Sequence, residues 1–148
     1  MKLEQIFEMA AMQKQNLGFG MSQYSNDNYI LSGGYRSGSS DSKSTRLKYD
    51  IYDIKLLPED ENADPSEAKI GFVELFVDHD GEIIGLVNIE LLPKFRTSGR
   101  GRQIVQDIVD TSKNGLNIHD IQKSAKKFWD NVGVKYNSKH ATDGRIEK

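Results

Sequence analysis

The apolar positions of this chain fall into helical and strand periods separated by polar stretches. Leu3, Ile6, Phe7, Ala10 and Leu17 lie near one face of a helix over 2–17, and Gly18 with Gly20 stops it. Residues 18–45 are crowded with Gly, Ser, Asn and Asp, including Gly33-Gly34 and the run 37–44. Such a composition buries too little apolar surface to offset the entropy of ordering. A mobile polar loop is expected there, unless Tyr29-Ile30-Leu31 docks as a short strand. Over 46–57 the alternation runs through Leu47, Tyr49 and Ile51 and then changes face to Tyr52, Ile54 and Leu56. That pattern predicts one long strand with a bulge, ended by Pro58. Residues 59–67, with Asp60, Glu61 and Asp64, read as a solvated acidic loop.

Two β-rich runs, 70–77 and 82–92, are joined by Asp78-His79-Asp80-Gly81, and Asp-Gly between such runs predicts a hairpin. Beyond Pro93, Ile104, Val105, Ile108 and Val109 form an apolar stripe at helical spacing that stops at Lys113-Asn114-Gly115. Residues 116–121 predict a short strand. Ile121, Ala125, Phe128 and Val132 predict a second helix closed by Gly133, with Asp120 an alternative N-cap, so the boundary between strand and helix stays open. The remaining chain has room for a strand over 134–136 and a second near Ile146, within an otherwise polar tail over 137–148. The order helix, strand, hairpin, helix, strand, helix, strand predicts an α/β domain in the α+β sense, helices flanking a mixed, largely antiparallel sheet.

A chain of 148 residues is long enough to bury one core and too short for two, so a single domain over 1–148 is expected. Twenty basic against 22 acidic residues give a net charge of -2, which argues against a general nucleic-acid binder. The lack of cysteine removes disulfides, thiolate metal sites and a cysteine nucleophile, and it suits a reducing compartment. Glu4 and Glu8 among the first apolar residues argue against a signal peptide or a membrane span, so no membrane partner and a cytoplasmic location are expected. No His, Asp and Glu cluster has metal-ligand spacing and no Gly-x-Ser-x-Gly elbow occurs, so no metal is expected.

The chemistry concentrates at Arg96-x-x-Gly99-x-Gly101, between the end of a strand and the first turn of a helix. There the backbone N–H groups have no acceptor within the helix, two glycines let a bulky anion approach the main chain, and the helix dipole adds about half a positive charge. Arg100 and Arg102 add to it. These features together describe a pyrophosphate cradle. They do not describe a dinucleotide fingerprint, because the glycines follow a hairpin instead of the first parallel strand.

The run from Asn88 to Gly101, with Pro93 ending a strand and Arg96-x-x-Gly99-x-Gly101 opening a helix, resembles motif A of the GNAT superfamily of N-acetyltransferases. Ala125-Lys126-Lys127-Phe128-Trp129-Asp130-Asn131-Val132-Gly133-Val134 resembles a second motif of that family. The likeness spans 70–136 and implies binding of acetyl-coenzyme A (coenzyme A), with cofactor contacts from Leu91, Leu92, Arg96, Thr97, Ser98, Gly99, Arg100, Gly101, Arg102, Lys126 and Trp129. It also implies that the strand ending at Leu92 splays from its neighbour, freeing main-chain groups near Leu91 and Leu92 for the pantetheine arm. The N–H assigned to Leu92 would polarise the thioester carbonyl. An amine would then attack the thioester directly, with no acyl-enzyme.

Glu90, sharing a strand face with Asn88, is the expected general base, with Glu74 and Glu82 weaker candidates. Trp129 stands where many members of the family have an acidic tyrosine, and its indole cannot give up a proton near neutral pH, so Tyr136 is the substitute acid if one is needed. His79 and His140 read as solvated, and His119 as a buried or capping residue. The amine acceptor stays open among protein, small molecule and aminoacyl-tRNA, for a monomer or homodimer. Lys123, Lys126 and Lys127 would favour a polyanion, and the acidic loop a cationic peptide or amine. A catalytically inactive GNAT-fold binding or structural protein is the alternative reading. A small RNA-binding domain is a third, opposed by the acidic balance and the lack of an aromatic stacking motif.

Overall fold

The computed structural model describes residues 28–37, 43–59, 63–96, 99–137 and 142–148. The helix expected over 2–17, His140, Asp60 and Glu61, and the two cradle residues Thr97 and Ser98 lie outside them. The described chain is a mixed α+β arrangement built on one seven-stranded sheet. Its strands are β1 (Tyr29–Arg36), β2 (Ser44–Asp53), β3 (Lys69–Asp78), β4 (Ile83–Leu91), β5 (Leu116–Ile118), β6 (Lys135–Tyr136) and β7 (Gly144–Ile146). They lie in the order β1-β2-β3-β4-β5-β7-β6. Every pairing is antiparallel except β4 with β5, which are joined by a crossover helix, α1 (Arg100–Thr111). A second helix, α2 (Lys126–Val132), connects β5 to β6.

Strand alternation sets the sheet against the helices. Leu47, Tyr49 and Ile51 of β2 and Val73, Leu75 and Val77 of β3 are buried, and they join Ile104, Val105, Ile108 and Val109 of α1 in one core. Leu116, Ile118, Trp129, Val134 and Ile146 extend the same core beneath α2 and the last strands. No helix among the described residues is long and apolar enough to cross a membrane.

Three segments depart from the sequence expectation. The polar stretch 18–45 contains an eight-residue strand, β1, whose Ile30 and Leu31 are fully buried, and β2 begins at Ser44. Pairing with Leu47–Asp53 of β2 supplies the burial that composition alone withholds. The strand expected over 46–57 carries no bulge of its own: at the irregularity between Ile51 and Tyr52 the extra residue is Ile70 of β3, and β2 alternates regularly until it ends at Asp53. The Asp53 carboxylate accepts a hydrogen bond from the Lys55 N–H at 2.9 Å, and this local turn converts Ile54–Leu56 into a 3-10 helix. The second helical stripe is likewise split into a 3-10 turn, Lys123–Ala125, and α2. Gly133 ends α2 in the left-handed conformation, with its N–H on Trp129 O and Asp130 O.

Candidate functional site

β4 and β5 run side by side for only two residue pairs, Gly85 with Asn117 and Leu86 with Ile118. The His119 N–H donates to Leu86 O at 2.9 Å, and there the pairing stops. Asp120 adopts a left-handed backbone at φ 55°, rare for a residue with a side chain, and its N–H donates to the Asp143 carboxylate at 3.0 Å. The next N–H, of Ile121, donates to Thr142 O at 2.6 Å. The chain leaving β5 is therefore tied to the segment entering β7, while β4 continues paired to β3 alone. Between them opens a cleft of about 730 Å³, walled by Val87 to Leu91 on one side and by Gln122, Ala125, Phe128 and Trp129 on the other.

β4 carries two bulges, at Ile84 and at Val87, and the one at Val87 decides which main-chain groups face this cleft. Glu74 pairs with Asn88 and Leu75 with Leu86, so Val87 is the extra residue. The Leu92 N–H donates to Ile70 O on β3 at 2.8 Å. By strand alternation Glu90 and Asn88 also turn their main-chain groups towards β3, and Leu91 and Ile89 turn theirs away from it. Leu91 O follows this rule and accepts from Arg96 Nε at 2.8 Å. The expected role of the Leu92 N–H is thereby corrected, since that group is spent on β3. The N–H groups directed at the cleft are those of Ile89 and Leu91. Sequence reading missed Ile89, because a single bulge inverts the parity on which such an assignment depends.

At the C-terminal end of β4 the chain passes through a 3-10 turn, Pro93–Phe95, into α1. Gly99 is the N-cap of α1 at φ 74°, and apart from its chain neighbours no atom lies within 4 Å of where its Cβ would be. A Cβ on Gly101 would meet the Phe128 ring at 3.3 Å, so this glycine also lets α1 pack against α2. Gly99, Gly101, Arg96 and Arg102 all line the cleft. The open N–H groups of the first turn and two guanidinium groups form a basic end that fits a pyrophosphate.

The remaining expected contacts separate. Arg100 turns away from the cleft and ion-pairs with the buried Asp53 carboxylate, against the Phe95 ring. Two residues apart on a helix, Arg100 and Arg102 point in nearly opposite directions, so only one of them can serve the cleft. Lys126 is not on the cleft wall. It binds Asp130 at 3.1 Å and lies over the Tyr136 ring. Trp129 does line the cleft, largely buried and edge-to-face with Phe128 at 4.9 Å.

The titratable groups sort by position. Glu90 lines the cleft at its basic end, 3.7 Å from Arg96 Nη2, with its side chain about half exposed. Glu74 does not reach it. Burial raises its pKa, but hydrogen bonds from Ser37 and Arg46 and the charges of Arg46 and Lys48 outweigh that and leave the carboxyl below its ordinary value, unsuited to a base near neutral pH. Glu82 sits in the hairpin turn, outside the cleft. Tyr136, the substitute acid, is also outside. Desolvation together with its 2.6 Å hydrogen bond to Asp130 pushes its pKa up to about 12, the wrong direction for a proton donor. His119 packs against Phe76 at 5.1 Å and beside Gly85, as a structural histidine. Asp120, the alternative N-cap, instead lines the cleft with Asn88 and Gln122. Nothing local in the sequence marks it, because it is the loss of pairing with β4 that exposes it.

A scan against protein-family models finds no match to this chain, and a comparison with curated protein sequences finds none either.

Proposed function

We propose that this chain is a GNAT-type N-acetyltransferase domain that takes acetyl-coenzyme A as acetyl donor and transfers the acetyl group to an amine by direct attack. One observation carries the reading. The strand that splays from β5 leads directly into a glycine-opened helix start flanked by Arg96 and Arg102, and both belong to one cleft. A thioester carried on a long polyanionic handle needs both features, main-chain donors along an extended arm and a basic, unobstructed turn for the phosphates. Acetyl-coenzyme A supplies the activated carbonyl. The chain supplies the Ile89 and Leu91 N–H groups to orient the arm and Phe128 and Trp129 to exclude water.

A thermal shift measures the donor site directly. Ligand bound only by the native state raises stability by RT ln(1 + [L]/Kd), about 2.7 kcal/mol at a hundredfold excess over Kd. An upward shift with acetyl-coenzyme A is expected, and none at millimolar concentration would sink the proposal. A catalytically inactive coenzyme A binding protein is the second reading. It is favoured by Trp129 at the expected acid position and by the diversion of Tyr136 to Asp130. Binding without release of free thiol in the presence of amines would select it.

A further inference from the structure

Two carboxylates line the cleft, and they lie at opposite ends. Glu90 is next to Leu91 and within reach of Arg96, beside the basic cradle. Asp120 is two residues beyond Ile118, which pairs with Leu86, so the parallel register brings it near the level of Asn88, just past the point where β4 and β5 part. From Asn88 to Leu91 the strand advances about 10 Å at roughly 3.3 Å per residue, and the cradle lies beyond Leu91. One end of the cleft is thus cationic, with Arg96, Arg102 and the α1 N-terminus. The other carries Asp120 with the amides of Asn88 and Gln122.

Resting on the acetyl-donor reading above, we infer that Asp120 receives the acceptor's ammonium group and takes its proton, so that the acceptor is a cationic primary amine and not a polyanion. The diphosphate is held at the arginine end, which leaves the reactive end of the donor at the opposite, aspartate end. An ammonium ion docked on Asp120 gives one proton to the carboxylate. The freed nitrogen lone pair forms the C–N bond to the acetyl carbonyl carbon as the C–S bond breaks, and the departing thiolate takes the second proton from nitrogen. Asp120 afterwards releases its proton to water. Gln122 Nε2, 3.2 Å from Asp120 Oδ1, and Asp143, which holds the Asp120 N–H, fix the carboxylate's position. A polyanionic acceptor would meet this carboxylate with like charge. Lys126, one of the three lysines that would favour it, is paired to Asp130.

Asp120→Asn is the suitable variant, because asparagine tolerates the left-handed backbone and keeps an acceptor for Gln122. Wild type and variant are compared in acetyl-coenzyme A thermal shift and in thiol release, with spermidine and a lysine-bearing tetrapeptide as cationic acceptors and aniline as an uncharged one. Binding of the cationic probes is measured by calorimetry. The variant is expected to keep the acetyl-coenzyme A shift and to lose about 100- to 10,000-fold in kcat/KM for the cationic probes. Aniline, which has no ammonium proton to remove at neutral pH, should change by less than about tenfold. Weaker calorimetric binding of the cationic probes by the variant supports the ammonium site even without turnover. Equal probe binding and equal rates in the two proteins overturn the inference while the donor reading stands. Loss of the acetyl-coenzyme A shift already in wild type overturns the donor reading, and the inference with it.

Discussion

Gly99 holds α1's first turn open, and its role divides into a backbone part and a space part. The backbone part is a left-handed φ that Asp adopts at a cost of about 1 kcal/mol, and the space part is the empty volume where a Cβ would stand. Gly99→Asp is therefore expected to fold, lose about 1 kcal/mol of stability in urea unfolding, and abolish the acetyl-coenzyme A thermal shift, because its carboxylate would face the pyrophosphate. An undiminished shift would place the anion site elsewhere. The same substitution logic is less clean at Gly101, where any side chain also presses on Phe128. The glycine spacing was legible from sequence because a helix start is local. The split of duty between Arg100 and Arg102 was not, since only the position of Asp53, 47 residues away, shows which arginine turns inward.

The junction of β2 with α1 is an element-scale contact with consequences for the cleft. Asp53 ends β2, caps the turn that follows through Lys55, and holds Arg100 at the first position of α1. Its side chain is 5% exposed and that of Arg100 31%, so removing the acid strands a partly buried cation. Asp53→Ala is expected to destabilise by about 2 to 3 kcal/mol in denaturant unfolding, at or just below the range for breaking a fully buried pair because Arg100 is partly exposed. It should also weaken acetyl-coenzyme A binding, because the helix start loses its anchor. A loss below about 0.5 kcal/mol would show the pair to be solvated surface. Strand and helix identities were readable at this scale from periods of two and 3.6. Where β2 stops was not, because the apolar residues Ile54 and Leu56 continue the pattern while a side-chain hydrogen bond ends the strand.

Across the whole sheet, Glu74 on β3 joins Arg46 on β2 and Ser37 just past β1, at 3.0 Å and 2.8 Å. Its pKa lies below the ordinary value of 4.5, so its ionised form is favoured by folding. The stability it contributes is fully present above that ordinary value and is lost as pH falls through the lower folded one. Acid unfolding curves of wild type and Glu74→Gln should accordingly be fully separated above the ordinary value of 4.5 and converge as pH falls through the lower folded one, and curves parallel at all pH values would refute the linkage. The sequence by itself determined the order of elements, their buried faces, the hairpin at Asp78–Gly81 and a glycine-opened helix start, because each depends on residues within a few positions of one another. Only the tertiary structure decided that β1 belongs to the sheet, that β7 inserts between β5 and β6, and that Asp120 leaves β4 for Asp143. Those outcomes are set by contacts between segments distant in the chain, which no local period encodes, and the cleft exists where one such contact takes β5's continuation away from β4.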